Sequence, residues 1–252
     1  MLGPRIGKYG PDGKPRPLTA HHLPMAMLGT FILLFGWFGF NAASTFAATD
    51  NRFTIAAVNT AIAAAFGATG AMFYAMYTGS RKPDPAVMIN GMLAGLVAIT
   101  APCAFVAPWA AAVIGVLAAI IVTLAGRFIE ARGIDDPVGA IAVHGVGGLL
   151  GVIFVGLFAD GTYGAAWNAL DRQWTKDNNV TGLFYGGEGF KQLIAQLIGV
   201  GVLCTAIFGL AFTFFFIQNK VTKGGIRSTE ADELAGLEQE MGMPAYPDFA
   251  KV

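Results

Sequence analysis

Charge is scarce in this sequence. Asp, Glu, Lys and Arg make up 13% of its 252 residues, about half the share found in a soluble domain. That excludes an ordinary cytosolic enzyme, and it excludes a disordered chain, which combines high charge with few apolar residues. Cysteine is scarcer still. Cys103 and Cys204 are the only two, too few for a disulfide framework. Both lie in or beside apolar segments, which reads as free buried thiols. The formal net charge is zero, so the basic excess that nucleic acid demands is missing. No metal-ligating cluster, nucleophile–base pair or phosphate-binding loop is present. The sequence therefore calls for no metal, no organic cofactor and no soluble-type catalysis.

What is there instead is apolar and small. Hydrophobic residues reach 55%, Phe occurs 20 times and Gly 34 times, the last well above a usual share of about 7%. Five long stretches contain no Asp, Glu, Lys or Arg: Leu23–Thr49, Phe53–Ser80, Pro85–Gly126, Pro137–Ala159 and Gln192–Asn219. Crossing about 30 Å of hydrocarbon takes about 20 apolar residues. The stretch from Pro85 covers 42 residues, roughly 63 Å as one helix, and Pro102 and Pro108 break its middle. Dividing it there predicts six transmembrane helices, at about 23–43, 53–79, 85–101, 108–130, 137–159 and 190–221, in an all-α membrane protein. Runs this long exclude the ~10-residue alternating strands of an outer-membrane barrel. The last helix exceeds the hydrocarbon thickness, so it is expected to tilt or to extend beyond it. Residues 222–252 form an acidic tail, either a solvated appendage or a docked one.

Basic residues orient the spans. With the N-terminus inside, 12 of the 16 Lys and Arg fall in inner segments, as the positive-inside rule requires. Both termini are therefore expected in the cytoplasm, and the loop Asp160–Lys191 outside, with room for short surface helices. Met1–Thr19 is polar and turn-rich with no apolar signal region, and it reads like an internal loop of a longer protein.

Four features inside the spans carry chemistry. His144 is the one ionisable side chain, thiols aside, well inside a predicted helix. An imidazole at that depth needs a partner or a cavity, so it either lines a pathway or bonds a neighbouring carbonyl in the core. The glycines around it, including the pair Gly147 and Gly151, and the pair Gly91 and Gly95, suit close helix packing. The aromatic run around Trp37 and Phe40 near the outer end of the first span is either an interfacial belt or a set of π faces for a cation. Phe40 and Ser44, four residues apart, share a face. Asp135-Asp136-Pro137 places Asp136 to cap the His144 helix at its N-terminus.

Taken in order, the segments Pro-Leu-Thr-Ala-His-His-Leu-Pro, Gly-Trp-Phe-Gly-Phe-Asn-Ala-Ala-Ser, Asn-Gly-Met-Leu-Ala-Gly-Leu-Val-Ala-Ile-Thr-Ala and Asp-Asp-Pro-Val-Gly-Ala-Ile-Ala-Val-His-Gly-Val-Gly-Gly closely resemble the ammonium transporter family of Amt, methylammonium permease and Rhesus proteins. The end of the tail, Leu-Glu-Gln-Glu-Met-Gly-Met-Pro-Ala-Tyr-Pro, is similar to that family's cytoplasmic C-terminus, with Glu238 where Asp is usual and Met241 where His is common. The resemblance covers essentially the whole chain and implies spans six to eleven of eleven: the second inverted repeat and the final long helix. It implies a homotrimer in the cell membrane with one pore per protomer between the repeats. It further implies capture of ammonium at an outer vestibule, deprotonation, and passage of ammonia through an apolar pore. By position, Phe40 resembles one of two gate phenylalanines, Ser44 the hydroxyl that accepts from ammonium, and His144 one of two pore histidines. Trp37 and Thr100 lie in the same matching segments and are expected along the pathway. The second histidine and the second gate phenylalanine belong to the family's first half. A P-II-type signal protein is the implied cytoplasmic partner. An ammonium-binding regulatory protein, or a silent piece of a transporter, stands as the alternative to transport.

Overall fold

The computed structural model describes residues 2–18, 22–49, 51–79, 81–162 and 180–244, without the side chains of Leu237 and Glu240. Most of the long expected outer loop (163–179), His21 of the first matching segment and the end of the tail from residue 245 lie outside the described residues. Among the described residues regular structure is helical, and extended pairing is confined to two isolated bridges, Tyr9 with Pro15 and Asp160 with Thr181.

The helices begin where the sequence supplies caps and prolines. Helix α1 (Leu23–Ala42) starts with Pro24 in its first turn and with His22 Nδ1 accepting from the Met25 N–H at 3.0 Å. Helix α2 is Asn51–Thr78. Helix α3 (Pro85–Thr100) opens on Pro85, with the Asp84 carboxylate accepting from the Ala86 and Val87 N–H groups. Proline at the first position leaves no lost N–H, and a carboxylate there meets the positive end of the helix dipole. Helix α4 (Pro108–Ala131) starts at the second proline of the break. Helix α5 (Gly147–Phe158) follows directly on a π-wound turn, Ile141–Val146. The last apolar helix, Gly189–Val221, consists of α6 (Gly189–Val202), a π-wound turn Leu203–Ile207 and α7 (Phe208–Val221). Two short helices follow, α8 (Glu230–Ala235) and α9 (Leu237–Met241).

Five of these stretches are long and apolar enough to cross a membrane, and α3, at 16 residues, is the shorter sixth. Proline explains α3's length, since the chain turns at Pro102 after about 24 Å of helix. The helix around His144 starts at Ile141 rather than at Pro137.

The chain divides into two compact units. The first, called here the span unit, comprises Ala20–Ile129 and Asp136–Leu203. Its core is made of small residues. A Cβ added to Gly95 would lie 2.2 Å from the carbonyl oxygen of Ala63, and one on Gly91 would lie 2.6 Å from that of Gly67. Only glycine allows α2 and α3 to approach this closely. Gly151 meets the Ala98 carbonyl in the same way, at 2.7 Å, which seats α5 on α3. Around these contacts Ala94, Leu96, Ala98, Ile99 and Ile114 are fully buried.

The second, charged unit comprises Met1–Thr19, Glu130–Asp135 and Cys204–Val252. Arg5 grips Asp135 with two side-chain bonds of 2.7 and 2.9 Å and with its backbone N–H at 3.0 Å. The Asp135 side chain is 4% exposed. Lys8 pairs with Glu130 at 2.5 Å, and the Tyr9 hydroxyl donates to the Glu130 carbonyl. Arg227 donates to the Leu2 and Pro4 carbonyls and to Glu233, whose carboxylate also accepts from the Ile6 N–H. The described part of the tail is thus bonded to the N-terminal segment. Phe208, Phe212 and Phe216 stack along α7, one turn apart. Cys103 is buried, as expected, but Cys204 is exposed, on the last apolar helix, where no residue of the most apolar stretch is buried. Apolar neighbours in sequence do not guarantee burial when they are suited to face lipid or another chain.

Candidate functional site

The C-terminal end of α1 and the turn after α3 form a small cavity in the span unit. Phe40, Asn41 and Ser44 line one wall, and Thr100, Cys103 and Phe105 line the other, around a volume of ≈ 90 Å³. Four of the expected residues gather at this place. The Trp37 indole N–H donates to Thr100 Oγ1 at 2.9 Å, and that hydroxyl donates to the Leu96 carbonyl at 2.8 Å. Trp37 and Phe40 lie with ring centroids 5.9 Å apart and tilted by 59°. Phe40 is 63% exposed. Ser44 Oγ donates back to the Phe40 carbonyl at 2.5 Å, which leaves its oxygen lone pairs as the acceptor it can offer. The arrangement presents π faces and hydroxyl oxygens around a space for molecules of about the size of water. These groups suit a small cation that has shed part of its hydration.

His144 is not among the residues lining that cavity. It lies on the π-wound turn before α5 and is exposed. The N–H of Gly147 reaches back five residues to the Ala142 carbonyl, and the extra residue in the turn shifts the side chains out of α-helical register. A neutral imidazole offers one donor and one acceptor nitrogen, enough to hand a small polar molecule along without taking up charge.

Asp136 is buried, and its carboxylate accepts from the N–H groups of Ile141 at 3.1 Å and Ala142 at 3.0 Å. It reaches across the turn at Gly139, which sits at φ +67° where glycine carries no steric penalty. The bonds fall on the first N–H groups of the π-wound turn, so this carboxylate fixes the start of the segment that carries His144.

Three polar residues that a search for charge passes over are also present. Asn41 is 4% exposed, and Asn59 and Thr60 are 0% exposed. Asn41 Nδ2 donates to Thr60 Oγ1 at 2.9 Å, and Asn59 Nδ2 donates to the Cys103 and Val106 carbonyls, both at 2.8 Å. Their signal in the sequence was an amide, and in the case of Thr60 a hydroxyl, inside an otherwise apolar span.

Residues 1–246 match the model of the Ammonium Transporter Family. The chain is 48% identical over 250 residues to ammonium transporter Amt2 of Archaeoglobus fulgidus, covering 99% of this chain and 51% of that one. It is 35% identical over 254 residues to ammonium transporter 1 member 4 of Arabidopsis thaliana, covering 94% and 48%. Among solved structures it superposes on a Sensor Amt Protein with a TM-score of 0.79 and 37% identity over 93% of this chain and 53% of that one. On Saccharomyces cerevisiae Mep2 the TM-score is 0.76 with 28% identity, covering 92% and 50%. The chain spans about half the length of the curated relatives it matches.

Proposed function

Because the chain belongs to the ammonium transporter family, we propose that this multi-pass membrane protein supplies one wall of a path that captures ammonium and passes it across the bilayer as ammonia. The observation that carries the reading is the outer cavity of ≈ 90 Å³, lined by Phe40, Ser44 and Thr100, with Trp37 beside it, bonded to Thr100 and tilted against Phe40. A space of this size suits ammonium and is too small for a large organic cation. Ammonium arrives charged, and Phe40 and Trp37 offer π faces worth about 0.5–2 kcal/mol each, depending on how far the cation is desolvated. Ser44 offers an acceptor. Carrying the charge onward through an apolar path costs far more than carrying neutral ammonia, so ammonium gives its proton to water at the mouth and enters as ammonia. His144 then serves as a relay of one donor and one acceptor. The function is transport, with no catalytic group and no cofactor.

The opposite wall of the path comes from a first repeat like that of the relatives. Both termini lie in the cytoplasm, and the assembly is a homotrimer. The polar N-terminal segment, Glu130–Asp135 and the chain after Val221 form the cytoplasmic face and receive a P-II-type signal protein. One observation favours a second reading, binding of ammonium without conduction: the structural match to a Sensor Amt Protein at 37% identity.

The test is uptake of methylammonium in cells lacking ammonium transporters. Residues 1–252 alone are expected to be silent, because Phe40 and His144 are exposed on a wall without its counterpart. Co-expression with a chain encoding the missing first five spans should restore uptake. Uptake by the 252 residues alone would overturn the one-wall reading. Ammonium binding without uptake in the complemented protein would establish the sensor.

A further inference from the structure

The pathway reading leaves unused a pair of adjacent buried side chains on α2, Asn59 and Thr60, both 0% exposed. Neighbouring helix positions point about 100° apart, so the pair reaches in two directions. Thr60 reaches α1, where its Oγ1 accepts from Asn41 Nδ2 at 2.9 Å while donating to the Ala56 carbonyl at 2.6 Å. Asn59 reaches the turn between α3 and α4, where its Nδ2 donates to the Cys103 and Val106 carbonyls. Asn41 and Cys103 line the small outer cavity on its two sides. Asn41 also sits next to Phe40, and Cys103 lies three residues after Thr100. One step of α2 therefore holds both walls at once.

We propose that Asn59 and Thr60 are a clamp that sets the width of the outer cavity, and with it the preference for ammonium over its methylated forms. The proposal rests on the pathway reading and adds the residues that decide size. Neither residue touches the substrate. Both are positioning residues, acting through Asn41 on one wall and the Cys103–Val106 turn on the other. Hydrogen bonds suit this task better than apolar packing. Away from water an amide or hydroxyl keeps its partner, because no solvent replaces it. The bond then holds the two walls at a nearly fixed separation. The Oδ1 atoms of Asn41 and Asn59 are buried and make no hydrogen bond among the described residues, so here each amide is held through its NH2 end. Removing the Thr60 hydroxyl leaves the Asn41 side chain with nothing that fixes its rotation, and the wall bearing Phe40 loses its stop.

The experiment compares Thr60→Val, Thr60→Ser and Asn59→Ala in the full-length transporter in proteoliposomes, with ammonium and methylammonium as substrates. Binding of both cations is read in parallel, and folding is checked by gel filtration. Thr60→Val keeps the shape and loses the hydroxyl. It should shift the methylammonium-to-ammonium ratio of kcat/KM about five- to tenfold toward methylammonium, as expected for one lost bond to a buried amide. The change should lie in KM, with kcat altered by less than about twofold. Thr60→Ser restores the hydroxyl and should return the ratio to within about twofold of the parent. Asn59→Ala should shift the ratio in the same direction wherever it folds. Thr60→Val with an unchanged ratio, or with less folded protein but an unchanged ratio per molecule, overturns the clamp and leaves the pathway standing. A parent protein that neither binds nor carries ammonium overturns both.

Discussion

The span unit is held by backbone lying against backbone, and the charged unit by charge set against charge. In the first, Gly95, Gly91 and Gly151 bring helices within contact of the carbonyls of Ala63, Gly67 and Ala98. In the second, Arg5, Lys8 and Arg227 bind Asp135, Glu130 and Glu233. The difference follows from the surroundings each region is built for. In hydrocarbon, packing and backbone contact do the joining, because ions are too costly there. In water, a segment of polar residues and turns has little apolar surface to bury and depends on hydrogen-bonded ion pairs. The two units should therefore respond to different perturbations.

The largest effect is expected from a side chain placed between α2 and α3. Gly95→Val puts a Cβ 2.2 Å from the Ala63 carbonyl oxygen, a backbone atom that cannot step aside. The cost should be about 3 kcal/mol or more. The folded fraction surviving detergent extraction reads it, and the loss should be the same at pH 5 and pH 8. A normal yield would mean that the span unit tolerates a looser core than its geometry implies.

Acid should act on the charged unit instead. The Arg5 side-chain hydrogen bond holds the Asp135 carboxylate below its ordinary pKa. A carboxylate whose pKa is lowered by folding contributes stability that is fully present above its unfolded value of about 3.9 and is lost as the pH falls through the lowered folded value. The carboxylate of Glu233 is lowered in the same direction, chiefly by the Ile6 N–H. Protease accessibility of residues 2–16 should therefore rise below about pH 4. Asp135→Asn should raise it at pH 7 as well and flatten its dependence on pH. The Arg5 side chain is 40% exposed, so the Asp135→Asn cost is discounted to roughly 1–2 kcal/mol. Accessibility that does not change between pH 7 and pH 3 would show that apolar contacts hold this unit.

His144→Ala separates folding from function within the span unit. The residue is exposed, unlike Gly147 and Gly151, which are buried. Flux through the complemented transporter should fall about tenfold or more, equivalent to ~1.4 kcal/mol or above at the barrier, with the amount of folded protein unchanged. Equal flux would remove His144 from the path. The smallest effect is expected on the last helix. Gly209 has no atom within 4 Å of where a Cβ would stand, so Gly209→Leu should alter stability by no more than about 0.5 kcal/mol. A large loss in the assembled protein would show that another subunit or the first repeat lies against that position.

Much of this could be read from residues alone, for reasons that differ by element. The spans announced themselves because charge cannot enter hydrocarbon, and the prolines at 102 and 108 marked the break that the structure places between α3 and α4. The paired glycines indicated close packing, although not which carbonyl each would meet. Trp37, Phe40, Ser44 and Thr100 were each expected along the pathway, but that they gather was not, and the bond from Trp37 to Thr100 spans 63 positions and has no local signature. Asn59 and Thr60 went unnoticed because uncharged polar groups barely disturb an apolar run, and their importance depends on partners more than 40 residues away in the case of Asn59. The Arg5 pairing with Asp135 joins residues 130 positions apart and could not be told from any other choice among 16 basic and 16 acidic side chains.

The π-wound turn at Ile141–Val146 carries a consequence for how this segment tolerates a change of length. Such a turn is an α-helix that has taken in one residue more than its hydrogen bonds need. Removing a single residue there, for instance Gly145, would let the helix rewind as ordinary α and join α5 without a frame shift in its packing. Gly151 would still face the Ala98 carbonyl, and the residues before the turn would keep their register with α5, while the side chains inside the turn, His144 among them, would be re-aimed. The imidazole would point elsewhere, although no chemical group had been altered. A related sequence one residue shorter at this point could thus keep the fold and every recognisable side chain and still present a different face to whatever passes.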